Sequence, residues 1–126
     1  MIVRVDAMDS KSVKVLGIAV AGLGHVGSET VRLLKTQEKL LTARLGRPYR
    51  LVAVCDRQAN AEARRLGLPS KVERISHFQN LISHPSVDVV VELFGGLQDA
   101  RRLVLGALSH GKHVVTGNKL LLSECW

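Results

Sequence analysis

Aromatic residues are almost missing from this sequence: one Trp, one Tyr and two Phe make up 3% of its 126 residues. A surface that stacks nucleic-acid bases needs more than that, and the core must be aliphatic. The charge balance does not reverse the exclusion. There are 18 Lys and Arg against 11 Asp and Glu, a formal net charge of +7, but the cations are scattered, as at Arg44, Arg47, Arg50, Arg57, Arg64 and Arg65. Solvated helix faces and attraction for an anionic phosphate ligand account for such a pattern, so no nucleic-acid partner is expected.

Cysteine is scarce as well. Cys55 and Cys125 form no CxxC pair, and the five histidines show no metal-ligand spacing with them. Neither a disulfide framework nor a metal site is expected, and Cys55 reads as a small core residue of a strand. No apolar run approaches the ~20 residues of a membrane span. Arg4, Asp6 and Asp9 stand where a signal peptide would carry its apolar core. The expectation is a cytoplasmic protein with no membrane partner. Apolar residues make up 46% of the chain, enough for one globular domain.

What the sequence does have is glycine in a particular place. Val13 to Ala21 is a nearly unbroken apolar run that leads into Gly22-Leu23-Gly24-His25-Val26-Gly27, and a helical pattern follows at once. Strand, glycine-rich turn and helix in that order form the context of a dinucleotide-binding fingerprint. Gly22 allows the tight turn, Gly24 lets backbone approach a pyrophosphate, and Gly27 lets the helix pack on the sheet. The helix N-terminus then offers free N–H groups and a favourable dipole to the anion. The plainer alternative is a strand-to-helix turn that binds nothing.

The remaining pattern alternates strands and helices. A long first helix is predicted over His25 to Leu45, with Val26, Thr30, Leu33, Leu34, Gln37, Leu41 and Leu45 on one stripe. A second strand, Arg50 to Asp56, ends in Asp56-Arg57. An acidic residue at that strand end accepts from the adenosine ribose, as NAD requires, whereas an arginine there holds the 2′-phosphate of NADP. Asp56 follows Gly22 by more than the usual ~20 residues because the first helix is long; its alternative role is to cap the next helix. Short helices over Ala59 to Leu66 and Ser76 to Ser83 flank a brief edge strand within Ser70 to Ile75.

Val87 to Leu93 reads as a central parallel strand, followed by the flexible Phe94-Gly95-Gly96. Glu92 near its end is taken as a solvated turn carboxylate in preference to one facing the crevice. A helix over Gln98 to His110, a strand over Lys112 to Thr116 and the start of a helix at Leu120 complete the chain. The first twelve residues read as a loose lead and residues 13–126 as one domain. The fold class is α/β: a Rossmann-type, doubly wound, mostly parallel sheet with helices on both faces.

Three stretches together resemble homoserine dehydrogenase: Gly17 to Ser28, Asp88 to Gly96 (Asp-Val-Val-Val-Glu-Leu-Phe-Gly-Gly), and Gly111 to Lys119 (Gly-Lys-His-Val-Val-Thr-Gly-Asn-Lys). The resemblance covers Val13 to Leu122. It implies NAD or NADP as cofactor and interconversion of L-homoserine and L-aspartate 4-semialdehyde, a step towards threonine and methionine. By the same resemblance, Gly22, Leu23, Gly24, His25, Val26 and Gly27 bind the pyrophosphate, Asp56 and Arg57 face the adenosine ribose, and Gly95 and Gly96 border the nicotinamide.

Lys119 matches the lysine of the family's Asn-Lys motif and is implied to act in catalysis and cofactor binding. Read from the residues alone, a surface lysine near a helix start is the preferred reading, and the resemblance reverses that preference. Gly117 stands where the family commonly has alanine. The family continues into a substrate-binding, dimerising domain, and relatives are expected to be homo-oligomers. Without that domain this chain is expected to bind cofactor and turn over little or nothing. Two alternatives stay open: a non-catalytic NAD(P)-binding module, and another Rossmann oxidoreductase of an amino-acid-derived substrate.

Overall fold

The computed structural model describes residues 2–3 and 14–125. Its six strands are β1 (Ile2–Val3), β2 (Leu16–Ala21), β3 (Tyr49–Cys55), β4 (Glu73–Ile75), β5 (Val89–Glu92) and β6 (His113–Thr116). They form one sheet in the order β1-β6-β5-β2-β3-β4. The five strands from β6 to β4 pair in parallel, and β1 joins β6 antiparallel at the edge. The two strand residues Ile2 and Val3 belong to the lead expected to be loose; Met1 and residues 4–12 lie outside the described residues.

The apolar runs do what continuous runs do in a sheet covered on both faces. All six residues of β2 are buried. Successive side chains alternate between two cores, as the pleat requires. Ala19, Ala21, Ala53 and Cys55 join Leu81, Leu103, Val104 and Leu121 on one face. Val20 and Val54 join Val31 and Ala63 on the other. One face therefore packs α1 (His25–Thr36) and α3 (Ala59–Arg65), and the opposite face packs α4 (Gln79–Ile82), α5 (Gln98–Ser109) and α6 (Lys119–Cys125). The doubly wound, mostly parallel fold is present.

The first helix differs from its expected single span. It breaks at Gln37 into α1 and α2 (Glu38–Leu45). Tyr49, entering β3, supplies the reason: its hydroxyl donates to the Leu34 carbonyl, which an unbroken helix would pair with the Glu38 amide. A side chain intruding on the helical ladder is a recognised cause of such a break. The later elements are shorter than expected, with β4 reduced to three residues and α4 to four.

The chain winds outward from β2 through β3 to β4, then crosses back to β5 and β6 on the other side. The winding direction reverses between β2 and β5. Open α/β sheets bind ligands at the C-terminal strand ends beside such a reversal. Among the described residues, no helix is long and apolar enough to cross a membrane.

Candidate functional site

The turn after β2 is packed shut on one side and open on the other. Gly22 has φ of +95°, a conformation that glycine adopts without a steric cost. A Cβ on Gly22 would lie 2.6 Å from the Leu93 carbonyl oxygen, and one on Gly27 would lie 1.7 Å from the Gly22 carbonyl oxygen. These two glycines let α1 seat against the turn and the turn seat against the end of β5. Gly24 is different, because a Cβ there would meet nothing within 4 Å.

Gly24 is also the N-cap of α1, with no side-chain cap and no acidic residue in the first turn. The first amides of a helix have no partners within it. The positive end of α1 therefore faces the crevice, with no side-chain cap among the described residues. An uncapped helix start above a glycine with free space fits a pyrophosphate.

A cleft of about 1230 Å³ opens at this end of the sheet and is lined by, among others, Gly22, Gly24, Asp56, Arg57, Gly95 and Gly96. Six of the residues singled out from the sequence thus meet in one place. The others are placed differently. The Leu23 side chain is buried in the core, and its amide donates to Asp56 Oδ2 at 2.9 Å. His25 and Val26 are exposed on the first turn of α1, Gly27 is buried beneath Gly22, and Lys119 is exposed as the first residue of α6.

Asp56 has two structural bonds. Besides the Leu23 amide, its Oδ1 accepts from the Gln58 amide at 2.9 Å. The carboxylate therefore ties the glycine turn to the chain entering α3, and each oxygen keeps a second lone pair for another donor. Arg57 lies beside it with its side chain 93% exposed, 3.9 Å from Asp99. An exposed pair of this kind contributes little, and leaves the guanidinium able to turn towards a ligand.

Cys55, just below, is buried as expected. Burial, with the Asp56 charge adding to it, pushes its thiol up to about 12. Phe94, on the opposite wall, is held edge-on by Phe78 with ring centroids 6.2 Å apart.

Glu92 is a correction. It is not solvated: its relative exposure is 0%. Its carboxylate accepts from the Thr116 hydroxyl and from the Phe94 amide at 2.7 Å. Burial raises its pKa above the ordinary carboxylate value, and these two hydrogen bonds oppose the rise. Strand parity could have revealed this, since Glu92 shares the fully buried parity of β5 with Val90.

Asn118, read from the sequence only as half of the Asn-Lys motif, also has a structural role. Its Oδ1 accepts from the Leu121 amide and its Nδ2 donates to the Gly96 carbonyl, each at 3.0 Å. Asn118 thereby joins the second glycine loop to the start of α6, next to Lys119. Gly117, the departure from the family's alanine, has a neighbour that can yield: a Cβ there would lie 2.9 Å from Leu93 Cδ2, the end of a flexible side chain.

Residues 22–125 match the family model described as homoserine dehydrogenase, NAD binding domain. The homoserine dehydrogenase of Neisseria gonorrhoeae is 41% identical over 111 residues, which is 88% of this chain and 25% of that protein. That of Mycobacterium tuberculosis is 39% identical over 110 residues, 87% of this chain and 24% of that protein. Among solved structures, a homoserine dehydrogenase from Thiobacillus denitrificans superposes with a TM-score of 0.78 at 36% identity, covering 88% of this chain and 25% of that one. A myo-inositol dehydrogenase from Lactobacillus casei, solved with NAD(H) and myo-inositol, superposes at 0.64 with 25% identity, covering 86% of this chain and 29% of that one. The chain spans about a quarter of the length of the curated relatives it matches. With the glycine turn, the strand order and the cleft in agreement, the chain belongs to the homoserine dehydrogenase family, and the part of the family that it matches is the NAD-binding domain.

Proposed function

We propose that this chain, residues 13–126 as one domain, is the cofactor-binding part of an NAD(P)-dependent homoserine dehydrogenase that interconverts L-homoserine and L-aspartate 4-semialdehyde in the cytoplasm, on the route to threonine and methionine. The observation that carries this reading is the cleft where Gly22, Gly24, Asp56, Arg57, Gly95 and Gly96 converge. A nicotinamide dinucleotide supplies hydride transfer, and the protein supplies binding and orientation. The start of α1 takes the pyrophosphate over Gly24, and Asp56 and Arg57 take the adenosine ribose. Gly95 and Gly96 border the nicotinamide half. Lys119 hydrogen-bonds a cofactor or substrate oxygen and carries a proton. Homoserine itself is gripped by residues of the family's further domain, through which relatives assemble as homo-oligomers.

The position of Arg57 favours NADP over NAD. Its guanidinium is exposed at the rim of the cleft and its ion pair with Asp99 is 3.9 Å long, so it can turn to a 2′-phosphate. Thermal-shift titration with NADPH and NADH tests both levels of the reading, because a ligand stabilises the native state by RT ln(1 + [L]/Kd). Larger stabilisation by NADPH, lost on Arg57→Ala, supports the 2′-phosphate assignment; equal shifts refute it. No shift with either cofactor, in a chain that melts cooperatively, refutes cofactor binding altogether. Cofactor binding with little or no homoserine-dependent reduction of NAD(P) is the expected result for this part alone; a monodisperse preparation favours a self-sufficient binding module, and aggregation through exposed apolar surface favours a part of a larger enzyme.

A further inference from the structure

The end of β5, one residue before the cleft-lining stretch Leu93 to Gly96, holds a buried acid with an unusual set of partners. Glu92 ends β5, between Ala21 of β2 and Thr116 of β6. Among the described residues no cation forms an ion pair with it. A buried carboxylate with no cation is expensive, and an apolar residue could fill a central strand at lower cost. Its hydrogen bonds lead in two directions, and both reach the cleft. One oxygen accepts from the amide of Phe94, the residue immediately before Gly95. The other accepts from the Thr116 hydroxyl. Thr116 Oγ1 in turn accepts from the Asn118 amide at 3.0 Å, and Asn118 closes the circuit by donating to the Gly96 carbonyl.

The other buried charge shows that this route is particular to Glu92. Lys112, at the opposite end of the sheet, donates to the His84 and Val87 carbonyls at 2.6 and 2.7 Å. Those contacts staple a loop away from the cleft. The partners of Glu92 instead encircle the second glycine loop and fix the residue preceding Lys119.

We propose that Glu92 is a positioning residue: through Phe94 on one side, and through Thr116 and Asn118 on the other, it holds the Gly95–Gly96 loop and the start of α6 in the arrangement that receives the nicotinamide half of the cofactor. The proposal rests on the cofactor reading above. Thr116 is the intermediary, because its hydroxyl donates to Glu92 and accepts from the Asn118 amide.

The test compares intact and truncated ligands on the full chain. NADPH and NADH are titrated beside 2′-phospho-ADP-ribose and ADP-ribose, which carry the same adenosine and pyrophosphate without nicotinamide. Glu92→Gln and Thr116→Val each weaken the intact dinucleotide roughly tenfold, the scale of one hydrogen bond to a charged group. Affinity for the truncated ligands stays within about twofold of wild type, since their contacts lie at the first glycine loop. Thr116→Ser keeps the hydroxyl and restores wild-type affinity for the intact ligand. If Glu92→Gln does not fold, the Thr116 pair decides. Equal weakening of intact and truncated ligands makes the network purely structural and overturns the proposal, as does unchanged affinity for both. A wild-type chain that binds the truncated ligands as tightly as the intact ones overturns it while leaving the cofactor site standing. A wild-type chain that binds none of the four overturns the cofactor reading and this proposal with it.

Discussion

The cleft has two glycine loops, and their glycines are there for different physical reasons. In the first, Gly22 and Gly27 are required by the protein's own backbone. One has a positive φ, and a Cβ on either would strike a carbonyl oxygen. In the second, Gly95 and Gly96 have negative φ, and a Cβ on either would meet nothing within 4 Å. Gly24 belongs with the second pair in this respect, although it sits inside the first motif. A fingerprint glycine can therefore be a packing residue or a ligand-facing one, and spacing in the sequence does not separate the two. The distinction predicts which substitutions unfold the domain and which only spoil binding.

The largest effect is expected from Gly27→Ala. Its new Cβ would lie 1.7 Å from a backbone oxygen, so α1 must move, at a cost of about 3 kcal/mol. Urea unfolding measures it, and a loss below about 1 kcal/mol would break the contrast between the loops. Asp56→Ala comes next. It leaves the Leu23 and Gln58 amides without the carboxylate that now accepts from them, a loss of about 2 kcal/mol. The measurement is the same, and a neutral result would show that those amides find other acceptors.

Gly24→Val separates the two kinds of glycine within one motif. Its stability should fall by no more than about 1 kcal/mol, the usual effect of an N-cap change, while stabilisation by NAD(P)H disappears. A variant that loses both equally would place Gly24 with Gly22 and Gly27. Gly96→Ala should be milder, with stability within about 0.5 kcal/mol of wild type and a several-fold weaker affinity for the intact dinucleotide. The smallest signal is expected at Cys55, beneath the first loop. With its thiol pushed up to about 12, the thiolate fraction at pH 8 is on the order of one in ten thousand. Peptide mapping after alkylation of the native chain should find Cys55 unmodified, and rapid labelling would show that the closed side of this loop opens.

Much of this was legible beforehand because it follows from local rules. The apolar runs at Leu16–Ala21 and Tyr49–Cys55 became central strands, since a parallel sheet covered on both faces needs little else. The break at Gln37 was hidden because the apolar spacing continues across it; its cause, the Tyr49 hydroxyl on Leu34, comes from a strand fifteen residues away from that carbonyl. Glu92 was misread because a carboxylate near a strand end is usually solvated. Its acceptance depends on Thr116, which β6 brings alongside only when the sheet assembles.

The five parallel strands with the helices between them, the glycine turn and the family can all be read from the residues. Each depends on residue type at short spacing, where chain connectivity fixes the geometry. Which glycines touch backbone and which face open space emerges only in the folded chain. Folding also committed the Asp56 oxygens to two amides, and joined Glu92, Thr116, Asn118 and Gly96 into one network. Those facts depend on contacts between segments far apart in the chain, and such contacts exist only once the parallel strands have been brought side by side.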